Sequence, residues 1–393
     1  MAIHNLAICA TLSSFLFGYD TGIINGVNLL IKQEFNLDDD WIAHIVSSTT
    51  AAAAVFSIAV GITSDALGRK TSIMMSAIVF VVGGILMAVA RGPNMLLIGR
   101  IIVGFAIATV SCVVPVYVSE CSPPNIRGSL LTLFQLFITI GIWISAVIAM
   151  SFQKAQYGWR YMLGLSAVPG IFQYFIFVAM PESPRYHILN NDCSAALRAL
   201  ELIRNTPDVT EELRQMMDAH EEEPKVRGFG VIRQILITPK VRYALFVGCM
   251  LQVFQQFSGI NAVIYYSSII LKSAGFDLHY AISLSLIPFA VNFMATFIGF
   301  WAVEAIGRRK TLGFSFLGNS IALLFLVIAF LPEYFNPDST DKMYEQGYNV
   351  SGSCTEIRAD FESLSITTLA PDWSPVTSFI SFSASLIAYS SAL

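Results

Sequence analysis

Long apolar runs alternate with short polar segments along most of the chain. A helix needs roughly 20 apolar residues to cross ~30 Å of hydrocarbon. Nine runs of about this length are present, at residues 5–31, 41–63, 71–90, 94–119, 128–151, 159–180, 242–271, 280–303 and 311–331. The first run has no basic leader or small-residue cleavage site, so it predicts a retained span and not a signal peptide. The pattern predicts about nine membrane-spanning helices.

Polar stretches divide these runs into blocks. Residues 1–180 hold six predicted spans, residues 181–241 predict a cytoplasmic helical insert, and residues 242–331 hold about three further spans. A second polar stretch, 332–374, predicts an extracellular loop, and the uncharged, Ser-rich residues 375–393 are either a tail or a tenth span.

A short internal repeat relates the two blocks. Residues 65–70 have the sequence DALGRK after the second span, and residues 304–309 have the sequence EAIGRR after the eighth. Repeated loops at corresponding positions are typical of transporters built from two similar halves. We therefore expect an all-α membrane protein with two parallel six-helix bundles, of which the second has about three helices in this chain.

Composition and charge place the predicted helices in lipid. The chain is 55% hydrophobic and 13% charged, with a mean hydropathy of +0.65, which is more apolar than a soluble domain. Lys and Arg follow the even-numbered spans, so the N-terminus is predicted to be cytoplasmic. The sequon at Asn349 then lies outside and predicts glycosylation. We expect a multi-pass protein of the plasma membrane.

The sequence gives no indication of an enzyme. We find no phosphate-binding loop, nucleophile elbow or metal-binding spacing of His and Cys, and the six cysteines show no disulfide framework. We therefore expect no cofactor, no metal and no nucleic-acid partner.

Two charges of opposite sign lie inside the apolar runs, Asp20 in the first and Arg100 in the fourth. A charge at membrane depth costs at least ~2.5–3.5 kcal/mol and normally finds a partner in the bundle interior. Helix geometry places Asp20 about 200° around the helix from Gly18, which begins a small-residue strip suited to helix packing. The pair predicts a proton site; the alternative is a static ion pair that fixes helix packing.

The seventh run carries an unusual set of polar side chains. Amides and phenols offer donors and acceptors to a neutral polyhydroxylated ligand, and interhelical hydrogen bonding is the alternative. Unwinding near Gly259 would bring Gln256 to the same side as the others. The candidate ligand contacts, including two amides from the fifth and eighth runs, are Gln135, Gln255, Gln256, Asn261, Tyr265 and Asn292.

Charged residues also recur at the predicted cytoplasmic ends of helices. Surface ion pairs are individually weak, but a network of them closing the inner face would form a gate; the alternative is that they serve as topology signals and solvated caps. The candidate gate residues are Asp65, Arg69, Glu120, Arg127, Glu182, Arg185, Glu304 and Arg308.

Several of these segments match one known family. FGYDTG (17–22), PVYVSE and PPNIRG (115–128), PESPR (181–185), QQFSGIN (255–261) and GRRK (307–310) resemble the sugar porters of the major facilitator superfamily. The acidic insert and the segment WRYMLGLSAVP (159–169) are most similar to those of proton/myo-inositol cotransporters. The resemblance covers nearly the whole chain. The chain stops before the family's tenth to twelfth spans and their motifs.

The resemblance implies roles for the candidate residues. Asp20 matches the family's proton-accepting acid and Arg100 its partner, while the six candidate ligand contacts match sugar-contacting positions. It implies proton-coupled symport of myo-inositol or a related polyol or hexose by alternating access, with a small polyol or monosaccharide, protons and membrane lipid as partners. Gln135 is more typical of hexose carriers, so a facilitative or proton-coupled hexose transporter is one alternative. A non-transporting truncated fragment or isoform is another.

Overall fold

The computed structural model describes residues 3–206, 208–222, 237–257, 259–273, 276–307, 310–321 and 324. These residues are almost entirely helical and include no strand, which confirms the all-α prediction. Arg308, the loop 332–374 with Asn349, and residues 375–393 lie outside the described residues.

The first block has seven helices. Their bounds are α1 Ile3–Phe35, α2 Asp39–Leu67, α3 Arg69–Ala88, α4 Pro93–Cys121, α5 Arg127–Phe152, α6 Gly158–Gly164 and α7 Ala167–Ala179. The insert follows as α8 Pro184–Leu189, α9 Cys193–Arg204 and α10 Thr210–Glu222. The second block has α11 Pro239–Phe257, α12 Ile260–Ser273, α13 Leu278–Leu284 and α14 Leu286–Ala305, and residues 310–321 are also helical.

Seven helical stretches of the described chain are long and apolar enough to cross a membrane. They correspond to the predicted second to eighth spans, and their bounds are Asp39–Leu67, Arg69–Ala88, Pro93–Cys121, Arg127–Phe152, Gly158–Ala179, Val241–Lys272 and Leu278–Ala302. The first predicted span is covered by the 33 residues of α1.

Small residues allow α1 and α5 to pack with their backbones close together. A Cβ at Gly18 would collide with the carbonyl oxygen of Ile138 on α5, and one at Gly26 would lie 2.6 Å from the Ala149 Cβ. Helices in lipid usually associate by close approach through small residues. The hydrophobic effect does not drive their association, because lipid tails are as apolar as the side chains. The glycine strip therefore packs against α5, and Asp20 lies elsewhere on the helix.

The glycine of the internal repeat has a positive φ in both blocks. Gly68 has φ of +94° between α2 and α3, and Gly307 has φ of +92° after α14. This left-handed region is readily available to glycine and strained for other residues. The glycine of each repeat thus follows the end of one helix and lets the chain turn.

The two blocks contact each other through α1, α5 and the helices α12 to α14. Phe289 of α14 is fully buried in a cluster with Ile142 and Ala146 of α5. The rings of Trp143 and Phe293 stack with centroids 5.6 Å apart. These contacts hold α14 against α5.

The insert is a compact helical unit attached to the first block. Leu200 and Leu213 form a small apolar cluster with neighbours from α8 to α10. The Arg204 guanidinium forms two bonds to the Glu212 carboxylate, of 2.9 and 2.6 Å, and donates to the Cys121 carbonyl at the end of α4 at 2.8 Å. One side chain thus ties the insert together and holds it against the membrane bundle.

Candidate functional site

Asp20 and Arg100 form a buried ion pair in the centre of the first block. The Arg100 Nη1 atom lies 2.7 Å from the Asp20 Oδ1 atom, and the residues are only 1% and 2% exposed, respectively. The Nε and Nη2 atoms of Arg100 are buried with no hydrogen-bond partner among the described residues. Arg100 is therefore held by one oxygen of Asp20, and a change at that carboxylate leaves the guanidinium without its counter-charge.

The helix positions explain why these two side chains meet. Asp20 lies on the part of α1 that the glycine strip leaves free, and Arg100 follows Gly99, which packs against Met87 of α3. The Asp20 neighbour Tyr19 donates a hydrogen bond of 2.7 Å to the Met162 carbonyl oxygen. The backbone around the acid is thus anchored on both sides while its carboxylate faces α4.

Tyr265 of α12 reaches the same region from the second block. Its backbone carbonyl oxygen accepts a hydrogen bond of 3.2 Å from the Asn28 side chain of α1. Its ring packs against the largest apolar cluster of the bundle. A residue predicted to contact ligand thus packs against α1, the helix that carries Asp20.

The break in the seventh span brings two other candidates together. Gly259 has φ of +75° and separates α11 from α12. Across this break the Asn261 Nδ2 atom donates to the Gln256 Oε1 atom at 2.8 Å. Gln256 is exposed and Asn261 half-buried, so both amides retain surface that a solute can contact.

Two of the remaining candidates, Gln135 and Asn292, lie on α5 and α14, which pack against each other. Gln135 on α5 and Gln255 on α11 are half-buried. Asn292 on α14 is 3% exposed, and its Oδ1 atom has no hydrogen-bond partner among the described residues. A buried amide oxygen without a donor is uncommon in folded proteins, so Asn292 has hydrogen-bonding capacity to spare.

The gate candidates that the structure describes cluster within the first block. Arg69 lies 3.0 Å from Asp65 and 3.1 Å from Glu120. The Glu182 carboxylate accepts hydrogen bonds from the backbone N–H groups of Arg69, Lys70 and Ser183. It thus binds two N–H groups in the first turn of α3, which have no acceptor within the helix.

The other described gate candidates lie at or near the ends of further helices. Arg127 donates to the Ser122 carbonyl oxygen at 3.4 Å, Arg185 lies in α8, and Glu304 lies near the end of α14. Arg308 is outside the described residues. The structure thus brings together Asp65, Arg69, Glu120 and Glu182.

Sequence reasoning missed a set of amides and hydroxyls that join α1 to the second block. The Asn25 Oδ1 atom accepts the Ser267 hydroxyl at 2.8 Å and the Ser268 backbone N–H at 2.7 Å, while its Nδ2 atom donates to the Ser285 hydroxyl at 3.1 Å. Asn28 donates to the Tyr265 carbonyl oxygen at 3.2 Å. Two amides three residues apart in an apolar run share one helix face, and that spacing was the available signal.

The described residues offer no site for a metal ion. Within the described ranges, no group of three or more His, Cys, Asp or Glu side chains is placed to hold one. The chemistry that the arrangement offers is that of one buried acid–base pair next to a row of neutral hydrogen-bonding groups.

Comparison with known proteins identifies the family. A model of the sugar (and other) transporter family matches residues 6–339. The human proton myo-inositol cotransporter is 42% identical over 333 residues, which are 84% of this chain and 51% of the human protein. The probable inositol transporter 2 of Arabidopsis thaliana is 34% identical, covering 91% of this chain and 63% of the plant protein. The glucose transporter GlcP of Staphylococcus epidermidis is 35% identical, with coverages of 82% and 70%.

Solved structures share the same fold at lower identity. The partially occluded inward-open xylose transporter XylE from E. coli matches with a TM-score of 0.76 and 22% identity, covering 99% of this chain and 84% of XylE. The proton:xylose symporter XylE bound to 6-bromo-6-deoxy-D-glucose matches with a TM-score of 0.72. The chain spans about half the length of the human relative. It belongs to the sugar transporter family and has the fold of the major facilitator superfamily.

Proposed function

We propose that this protein is a proton-coupled symporter of myo-inositol or a related polyol. The observation that carries the proposal is the buried Asp20–Arg100 pair, in which the Arg100 Nη1 atom lies 2.7 Å from the Asp20 Oδ1 atom. An ionisable pair inside a membrane bundle is costly and is typical of proton pathways in transporters. The names of the human and plant relatives support inositol as the substrate.

The proposed mechanism couples the charge of Asp20 to the arrangement of the two blocks. Protonation of Asp20 removes the counter-charge of Arg100 and loosens the link between α1 and α4. The blocks then rock around the bound solute, and release of the proton on the other side restores the pair. A ligand shifts such an equilibrium only by its differential affinity for the two states, so proton and solute act together because both favour the same rearrangement.

The proposed ligand site combines the break at Gly259 with the amides of neighbouring helices. Gln256 and Asn261 offer donors and acceptors across the break, and Asn292 adds a buried amide oxygen without a donor. These groups suit the hydroxyls of a neutral polyol, with Gln135, Gln255 and Tyr265 as further contacts. A hexose is the second candidate, supported by Gln135 and by the similarity to the glucose transporter GlcP.

We further propose the orientation and organisation of the protein. The N-terminus and the insert lie in the cytoplasm, the membrane is the plasma membrane, and Asn349 is glycosylated in an outer loop. The first 180 residues act as one rocking unit, and residues 242–331 belong to the other. The group formed by Asp65, Arg69, Glu120 and Glu182 contributes to closing the cytoplasmic side, together with Arg127, Arg185, Glu304 and Arg308.

The coupling role is tested by uptake of radiolabelled myo-inositol in a host cell at acid and neutral external pH. Asp20→Asn is expected to lower uptake at acid pH by about 5- to 150-fold, the usual range for a coupling free energy. Asp208→Asn, which changes an exposed acid in the insert, is the matched control and should behave as the unaltered protein. Unchanged uptake by Asp20→Asn at every pH would sink the proposal.

Substrate choice is tested by competition. Inositol isomers, glucose and xylose are added in series against labelled myo-inositol, and the proposal expects myo-inositol to compete best. Stronger inhibition by glucose than by any inositol isomer would assign the protein to the hexose carriers.

A further inference from the structure

A hydrogen bond between two neutral side chains joins the blocks at one end of α5. Gln153 follows the last residue of α5, and its Nε2 atom donates to the Ser283 hydroxyl of α13 at 2.8 Å. The Ser283 hydroxyl donates its own proton to the His279 carbonyl oxygen at 2.9 Å. It therefore acts as the acceptor for Gln153, and the direction of the bond between the blocks is fixed.

The surroundings shield this bond from water. Gln153 is 7% exposed, and Ile282, which precedes Ser283, is fully buried in the largest apolar cluster together with Ala149 of α5. A hydrogen bond is electrostatically stronger in such a low-dielectric environment than in water. One amide thus contributes to holding α13 against the end of α5.

Its position makes this contact sensitive to rocking of the blocks. The 26 residues of α5 span about 39 Å at about 1.5 Å per residue. The stack of Trp143 on Phe293 joins the blocks from within α5, whereas Gln153 joins them from its end. Rotation of one block against the other moves the end of a long helix further than its middle, so this motion stretches the Gln153–Ser283 bond strongly.

We infer that Gln153 and Ser283 form a latch that holds the outer ends of the two blocks together and opens in each transport cycle. The inference rests on the proposed function, which supplies the rocking motion and places the end of α5 on the outer side. When the blocks part, both side chains bond water instead of each other. Because the net contribution of one such bond is small, the latch favours outer closure without preventing opening.

The inference is tested by the rate at which a thiol reagent reaches a cysteine placed at Ile282 of α13. Ile282 is fully buried, and its Cγ2 atom would lie 3.8 Å from a Cβ at Gly26 of α1, so Ile282→Cys reacts when the blocks part. Mass spectrometry of the peptide that contains this position measures the rate in the purified protein. Gln153→Ala should raise the rate about 2- to 10-fold, as expected for the loss of one hydrogen bond. Ser283→Ala should have the same effect, and the two substitutions together should add little, because they remove one bond.

The matched control is Gln173→Ala. Gln173 also donates to a serine hydroxyl, that of Ser13 at 2.7 Å, but this bond lies within the first block, so its loss should leave the rate unchanged. An unchanged rate in Gln153→Ala, an equal rise in Gln173→Ala, or additive effects of Gln153→Ala and Ser283→Ala would overturn the inference. Thiol modification requires no transport, so failure of the proposed function is seen separately, as absent inositol uptake.

Discussion

At the scale of single residues, the central feature is a guanidinium whose only described hydrogen bond is to one carboxylate oxygen. Arg100 and Asp20 are both buried, and two further Arg100 nitrogens lack partners among the described residues. Removing one member of a buried pair leaves an uncompensated charge, whereas replacing both is often tolerated. Comparing the stability of a single variant with that of a double variant therefore measures what the pair contributes to folding, separately from its role in coupling.

We predict that Asp20→Leu costs about 3–5 kcal/mol of stability, because it strands the Arg100 charge in the bundle. The double variant Asp20→Leu/Arg100→Leu should recover most of this loss, as measured by thermal unfolding in detergent. Equal melting temperatures for the single and double variants would show that Arg100 has a second counter-charge.

Residue chemistry also explains what the sequence could and could not reveal about the site. Asp20 and Arg100 were identifiable because a charge in an apolar run needs a partner, and only these two were available. Asn25 and Asn28 were missed because a neutral amide in a span has no single required partner. Which groups it bonds depends on packing between α1 and α12, which are more than 200 residues apart in sequence.

At the scale of helices, close packing of α1 on α5 depends on glycine. A Cβ at Gly18 would meet the backbone of Ile138, whereas one at Gly61 of α2 would meet no atom within 4 Å. We predict that Gly18→Ala destabilises the protein by about 1–3 kcal/mol through overpacking, and that Gly61→Ala does not. Thermal unfolding of the two variants measures the difference, and a similar stability for both would show that α1 and α5 can separate freely.

The first turn of α3 depends on a side chain from the loop before α8. Glu182 accepts backbone N–H groups of Arg69 and Lys70, and hydrogen bonds to charged groups are worth about 1.5–3 kcal/mol. We predict that Glu182→Ala destabilises α3 by about this amount and speeds amide exchange at residues 69–72. Asp65→Ala should cost only about 0–1 kcal/mol, because the Asp65 side chain is 70% exposed. The reverse order would contradict the assigned capping role.

The start of α9 should be sensitive to acid. The Ala195 backbone N–H and the Ser194 hydroxyl hold the pKa of Asp192 below its ordinary value of 3.8. This cap therefore stabilises α9 above that value, and its contribution is lost as the pH falls through the lower folded pKa. Amide exchange at Ala195, followed by NMR between about pH 5 and about pH 2, should lose protection in the unaltered protein. Asp192→Asn should remove this pH dependence, and a pH dependence that persists in it would exclude the cap as the cause.

The presence of the helices was predictable from hydrophobicity, but the breaks within the predicted spans were harder to predict. The run 159–180 predicted one span, whereas the structure has α6 and α7, and the run 280–303 is likewise divided into α13 and α14. Pro169 and Pro288 each lie in the first turn of the second helix, where a missing N–H is tolerated. Hydropathy does not distinguish such a junction from a continuous helix, because the sequence remains apolar across the junction.

At the scale of the whole molecule, the two blocks meet through α1 and α5 on one side and α12 to α14 on the other. The contacts combine buried polar bonds, such as that between Gln153 and Ser283 at 2.8 Å, with stacked aromatic rings. An interface of this kind can separate and re-form, because its polar groups find water when the blocks part. The arrangement of the blocks was predictable in outline from the repeated loops, but the contacts between them were not.

The most direct test of the proposed coupling is inositol-driven proton movement in sealed vesicles containing the purified protein. A pH-sensitive dye inside the vesicles reports acidification when myo-inositol is added outside. We predict acidification with the unaltered protein and with Asp208→Asn, and none with Asp20→Asn. Inositol-dependent acidification of equal size with Asp20→Asn would contradict the assignment of Asp20 as the proton site.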